Sequence, residues 1–194
     1  MTYKQEGSVS FVSIEQSYDH FLGEDLIADH HIPPFDRSPY DGFAVRAKDT
    51  IDASRANPLA FEVIGEIGAG SVFTNKAGEM QAVRIMTGAQ IPDECDAVVM
   101  LEVVKELEDE GKHYIELKRS VKTGENISFT AEDTVAGTVL ATKGTYINPG
   151  VVALLATFGY KKVPISTKPK VGIIATGSEL LALDEPLQPG KGSC

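Results

Sequence analysis

Three prolines within Pro33-Pro34-Phe35-Asp36-Arg37-Ser38-Pro39 constrain this chain more than any other feature. Each fixes φ and lowers the entropy lost on ordering, so the segment is expected to form a rigid corner. Asp36, Ser38 and Asp41 carry short polar side chains that stabilise turns by bonding to nearby backbone. Asp41-Gly42 then supplies a tight turn ahead of an apolar strand, Phe43–Val45. One reading of the stretch is a purely structural corner. The other holds Asp36 and Asp41 at a rim, ready for a polar ligand or a hard cation such as Mg²⁺, which prefers carboxylate oxygen and keeps several waters.

Most of the remaining chain reads as strand and turn. Leu59–Ile67 mixes alternation with β-branched residues and ends in Gly68-Ala69-Gly70. Ala82–Met86, Ala97–Leu101 and Tyr114–Leu117 are short β-rich segments. Asp109-Glu110-Gly111 predicts a hairpin turn between Val103–Leu107 and His113–Lys118. Lys170–Ala175, almost wholly apolar, predicts a strand buried on both faces. Two helices are marked. Ser13 with Gln16 resembles a capping box, with Ile14, Tyr18, Phe21 and Leu22 on one face and Gly23 as a left-handed cap. Asn148 is a good N-cap, Pro149 suits a first turn, and Val152, Leu155 and Phe158 precede Gly159. The fold class is therefore mainly β (α+β), irregular and multi-sheet, with a few short helices. Joints are expected after Arg46 and near Thr167-Lys168-Pro169.

A chain of 194 residues can bury one good core or two modest ones. Its formal net charge is −10, and its bases are scattered apart from Lys161-Lys162 and Lys168–Lys170. That argues against nucleic-acid binding, which concentrates positive charge on one face. No apolar run approaches the roughly 20 residues of a membrane span, and no secretory signal opens the sequence. Two cysteines, Cys95 and Cys194, make no disulfide framework and fit a cytoplasmic protein. His20, His30, His31 and His113 match no zinc spacing.

Three further stretches carry candidate chemistry. In Val83–Pro92 a strand ends in Thr87-Gly88-Ala89, whose backbone amides can bind an anion, while Arg84 can pair with phosphate or acid. In Asn126–Asp133 adjacent acids form either a solvated turn or a cation or water site. In Val171–Leu180 a strand running into Thr176-Gly177-Ser178-Glu179 offers hydrogen-bond donors and a close backbone approach for phosphate. It is neither GxGxxG nor a P-loop.

In this order the segments PPFDRSPYDGFAVRA, AVRIMTGAQIPDECDAVVMLE and the run from ENISFTAEDTVAG to KVGIIATGSEL resemble the molybdopterin molybdenumtransferase family (MoeA and the gephyrin E domain). The resemblance extends from about residue 14 to residue 190. It implies insertion of molybdate into adenylylated molybdopterin with release of AMP, assisted by Mg²⁺, in a homodimer. It also implies a discontinuous β domain of residues 1–46 with 124–167, a second β domain of 47–123, and in 168–194 the first strand of a truncated α/β pterin-binding domain. By motif, Asp41, Thr87, Asp133 and Glu179 take the catalytic positions, and Asp41, Asp133 and Glu179 are the candidate metal ligands. Asp36, Ser38, Arg84, Gly88, Thr176, Gly177 and Ser178 fall in the positions that surround the cofactor.

Two departures stand out. The family's third motif commonly carries arginines and a glycine where this chain has Ser128, Phe129, Thr130 and Ala131. After Glu179 only Leu180–Cys194 follow, too few for an α/β domain, since one βαβ unit takes about 30 residues. The expectation is thus an incomplete and inactive portion of the enzyme. The alternative is a non-catalytic dimerisation or interaction module on the same β scaffold.

Overall fold

A computed structural model describes residues 8–172, 174 and 176–193. In chain order its strands are β1 (Val9–Ser13), β2 (Leu26–Ile27), β3 (Gly42–Val45), β4 (Leu59–Ile67), β5 (Gln81–Ile85), β6 (Ala97–Met100), β7 (Lys105–Asp109), β8 (Lys112–Leu117), β9 (Val139–Ala141), β10 (Lys162–Ser166), β11 (Leu180–Leu181) and β12 (Gly192–Ser193). Among the described residues there are also one α-helix, α1 (Pro149–Thr157), and three short 3₁₀ turns. The mainly β, multi-sheet architecture expected from the sequence is present. Contacts divide the chain into two compact units, Met1–Glu24 with Thr142–Cys194, and Asp25–Ala141. The joint expected after Arg46 falls inside the second of these, where β3 is paired on both sides.

The unit of residues 25–141 is built on a six-stranded sheet in the order β6-β3-β5-β4-β8-β7. It is antiparallel throughout except for the parallel pair β4–β5. Alternate side chains feed two cores. Phe43, Val45, Phe61, Val99, Ile115 and Leu117 pack on one face. Ala44, Ile67, Val83, Ile85 and Val98 pack on the other. A strand covered on both faces has no use for polar alternation, which is why β3 is buried at every residue. Gly42 is required there: a Cβ would lie 2.1 Å from the carbonyl oxygen of Val99. The β7–β8 hairpin turns through Glu110 and Gly111, with φ of 48° and 76°. Positive φ at both central residues matches the right-handed twist of the flanking strands.

In the other unit, β1 pairs antiparallel with β10. The Asn148 side chain accepts a hydrogen bond from Val151 N at 3.0 Å and caps α1, which buries Leu155. Gly159 follows at φ 70°. Two expected elements differ. The helix predicted over Ser13–Gly23 is only a 3₁₀ turn, Ile14–Gln16, and Ser13 makes no side-chain cap. The Ser17 hydroxyl and amide both close onto the Ile14 carbonyl, and Asp19 turns to φ 63°. Phe21 and Leu22 then bridge to Tyr146 and Ile165, so tertiary pairing overrides a weak helical pattern.

The second difference is Lys170–Ala175. Its described residues are not strand, and Val171 and Ile174 are 78% and 84% exposed; Ile173 and Ala175 lie outside the described residues. A strand buried on both faces needs a sheet to belong to and a packed layer over each face. Among the described residues this run has neither, and the nearby β11 pairs only with β12.

Candidate functional site

The proline corner lies between two other chain segments within residues 25–141. Arg37 forms bridges to Gln90 on one side and to Ser128 on the other. Toward the 86–91 turn, Ser38 N donates to Ala89 O at 3.0 Å, Gly88 N to Ser38 O at 2.8 Å and Ile91 N to Asp36 O at 2.9 Å. Toward the 128–134 loop, Arg37 and Ser128 exchange both backbone bonds at 3.0 Å, Ala131 N donates to Pro33 O and Asp133 N to Ile32 O. Three of the four motifs are thereby brought together by backbone pairing.

Two carboxylates fasten this arrangement in the same manner. Asp41 Oδ1 accepts from Thr87 N at 2.7 Å and from Thr87 Oγ1 at 2.8 Å. Asp36 Oδ1 accepts from Thr130 N at 2.7 Å and from Thr130 Oγ1 at 2.8 Å. Bonds from Thr87, backbone first and then hydroxyl, hold the Asp41 carboxyl below its ordinary value, and the Arg84 charge adds a smaller push. Ser38 is buried, and its hydroxyl donates to Tyr40 O at 2.5 Å. It shapes the corner from inside. Beside Asp36 and Thr130 lies a shallow cleft whose wall includes Phe35, Gln90, Asp93 and Cys95. Burial, with Glu94 and Asp96 adding to it, pushes the Cys95 thiol up to about 12, which leaves it an inert protonated wall group.

The remaining candidates lie around and beyond the corner. The anion-binding role of the Thr87–Ala89 amides is not available: Thr87 N serves Asp41, Gly88 N serves Ser38 O, and Ala89 N serves Met86 O. Gly88, at φ 83°, makes that turn possible. Arg84 is half-buried over the Phe43 ring, 5.7 Å from its centroid, with Glu106 at 3.4 Å and Glu66 at 3.9 Å. It is engaged with acids, one of the two partnerships expected of it. Asp133 is exposed and fixed through its backbone. Thr176, Gly177, Ser178 and Glu179 are exposed and belong to the other unit. Among the described residues no three His, Cys, Asp or Glu side chains converge to hold a metal. A cage built wholly of protein ligands does not fit. A cation held by one carboxylate together with substrate phosphate and water is compatible with Asp41.

Thr130 is the residue sequence reasoning missed. It stands in the stretch where the resembled family has arginines and glycine, yet it forms half of a clamp. The signal available was its identity with Thr87 in residue type, each facing an aspartate of the corner. Ala131 follows at φ 64°, a left-handed conformation that glycine adopts most readily. That gives a physical reason for the glycine expected at this position.

Residues 2–159 match the sequence family described as the MoeA N-terminal region (domain I and II). Molybdopterin molybdenumtransferase of Bacillus subtilis (strain 168) is 59% identical over 189 residues, covering 97% of this chain and 44% of that protein. The protein of that name from Staphylococcus aureus (strain MSSA476) is 49% identical over 180 residues, covering 93% and 42%. Among solved structures, a molybdopterin biosynthesis moeA protein from Pyrococcus horikoshii OT3 aligns with a TM-score of 0.80 at 41% identity, over 96% of this chain and 47% of that one. The chain thus spans less than half the length of these relatives. Taken with the paired motifs of the corner, these matches show that the chain belongs to the MoeA family of molybdopterin molybdenumtransferases and corresponds to its N-terminal region.

Proposed function

We propose that this chain acts in molybdenum cofactor biosynthesis, as part of an enzyme that inserts molybdate into adenylylated molybdopterin and releases AMP. The observation that carries this reading is the Asp41–Thr87 clamp, formed by two motif residues 46 positions apart. Both Thr87 bonds fall on Oδ1 of a carboxylate held in its charged form, leaving Oδ2 for a cation or an ordered water. A carboxylate repels molybdate itself, so its role is to place positive charge or water beside the phosphoanhydride. Mg²⁺ held by Asp41 together with substrate phosphate and water would supply charge neutralisation there, and Asp133 and Glu179 are alternative single-carboxylate candidates rather than members of one cage. Thr87 fixes the Asp41 rotamer through two bonds, and Ser38 holds the corner that presents it. Thr176, Gly177 and Ser178 are assigned to cofactor contact, and residues 168–194 to the start of the pterin-binding domain. The working form is a cytoplasmic homodimer.

The test is a chimera in which residues 1–194 replace the matching segment of the Bacillus subtilis relative. With adenylylated molybdopterin, molybdate and Mg²⁺ it should release AMP. Asp41→Ala or Thr87→Ala should lower that release at least about 100-fold, the scale seen when a placed electrostatic group is lost. A chimera that folds and binds yet is indifferent to both substitutions would sink the proposal. The 194 residues alone should give no turnover, and sedimentation should show them as a dimer.

A further inference from the structure

The Asp36–Thr130 clamp has no part in the chemistry assigned to Asp41, although its geometry is the same. Its location suggests its use. Thr130 immediately precedes Ala131, which sits at φ 64°, a conformation alanine resists because its Cβ crowds the neighbouring carbonyl. Asp133 lies two residues beyond. Three backbone bonds surround the strained residue: Ala131 N to Pro33 O at 3.0 Å, Glu132 N to Phe129 O at 3.1 Å and Asp133 N to Ile32 O at 2.9 Å. These sit on an exposed loop and do not remove the preference of alanine for negative φ. The carboxylate of Asp36, itself half-buried, grips Thr130 by amide and hydroxyl together, which fixes both the backbone and the side chain of the residue entering the turn.

From the two-point grip of Asp36 on Thr130 beside a left-handed Ala131, we infer that Asp36 is a positioning residue for Asp133. It acts by holding the 130–133 turn in the conformation that presents that acid at the rim. The inference rests on the functional reading above only in giving Asp133 a task. Asp41 and Asp36 therefore divide the work: one carboxylate is offered to ligand, and the other orders the loop carrying the next.

Amide hydrogen exchange on the 194-residue chain, read by NMR, tests this. Asp36→Ala should lower protection of the Ala131 and Asp133 amides about tenfold, the scale of one lost charge-assisted hydrogen bond, and leave the Thr87 amide unchanged. Asp36→Asn keeps an acceptor oxygen and should restore most of the protection, as should Thr130→Ser but not Thr130→Val. Ala131→Gly removes the resistance to positive φ. In that background Asp36→Ala should cost several-fold less protection at Asp133, a coupling that general destabilisation would not produce. In the chimera, Asp36→Ala should lower kcat more than it raises KM. Unchanged protection at Ala131 and Asp133, or equal losses with and without Gly at 131, would overturn the inference whatever the chimera does. An inactive chimera with the predicted exchange pattern would count against the functional reading and leave the clamp standing.

Discussion

The proline corner and the segment Lys168–Gly190 carry similar vocabulary, with acid, threonine or serine, and glycine close together in each. They have different fates. At the corner, donors to Asp41 and Asp36 arrive from 46 and 94 residues away, and the neighbouring β3 is buried at every residue. In the later segment Leu183 and Leu187 are 88% and 77% exposed, and among the described residues Thr176 to Glu179 lie outside any strand, just ahead of the two-residue β11–β12 pair. A motif becomes a geometry where distant backbone satisfies it on both sides. Residue type alone does not achieve that.

The contrast can be broken most sharply by truncating a core residue in one region and an apolar residue in the other. Phe61→Ala should cost about 3–5 kcal/mol in chemical denaturation, as for other buried aromatics. Leu183→Ala should change stability by no more than about 0.5 kcal/mol. Comparable costs would mean that the later segment has a core of its own. Next in size is Thr50→Val. The Thr50 hydroxyl is buried, accepts from Val121 N at 2.9 Å and donates to Ala47 O at 2.8 Å. Leaving the Val121 amide unpaired should cost about 1–3 kcal/mol, measured in the same way.

Smaller effects refine the picture of the corner. Ala131→Gly should stabilise the chain by about 0.5–1 kcal/mol, the relief of left-handed strain less the added freedom of glycine when unfolded. A neutral or destabilising result would show that the turn does not resist alanine. The smallest effect concerns pH. The Asp41 carboxyl in the folded chain lies below its ordinary 3.8, so the unfolded chain binds that proton more readily. Its contribution is present above that value and disappears as pH falls through the folded one. The stability difference between the natural sequence and Asp41→Asn should be steady well above pH 3.8 and narrow below it. A difference that instead widens on acidification would reverse the assigned role of the Thr87 bonds.

Features set by neighbours a few residues apart were legible in the sequence. The Asn148 cap, the Glu110-Gly111 turn and the long strand β4 depend on local dihedral preference, hydrogen bonds within one turn and side-chain alternation. Family membership was legible too, because the order of the motifs survives without any contact being known. The site was legible only in part. Asp41 and Thr87 were named together, but Thr130 was not, since nothing near it in the chain announces a partner 94 residues earlier.

Tertiary structure alone decided the rest. It turned Ser13–Gly23 away from helix because Phe21 and Leu22 found bridges to Tyr146 and Ile165. It left the described part of Lys170–Ala175 outside any sheet, since among the described residues no strand pairs with it. It gave the Thr87–Ala89 amides to the protein's own acceptors, and Arg84 to Glu66 and Glu106. A short segment's intrinsic preference is worth a few tenths of a kcal/mol to about 1 kcal/mol per residue, so it yields where distant partners compete for the same groups, as at Ser13–Gly23 and the 87–89 turn, and it builds no sheet where no described strand pairs with it, as at 170–175.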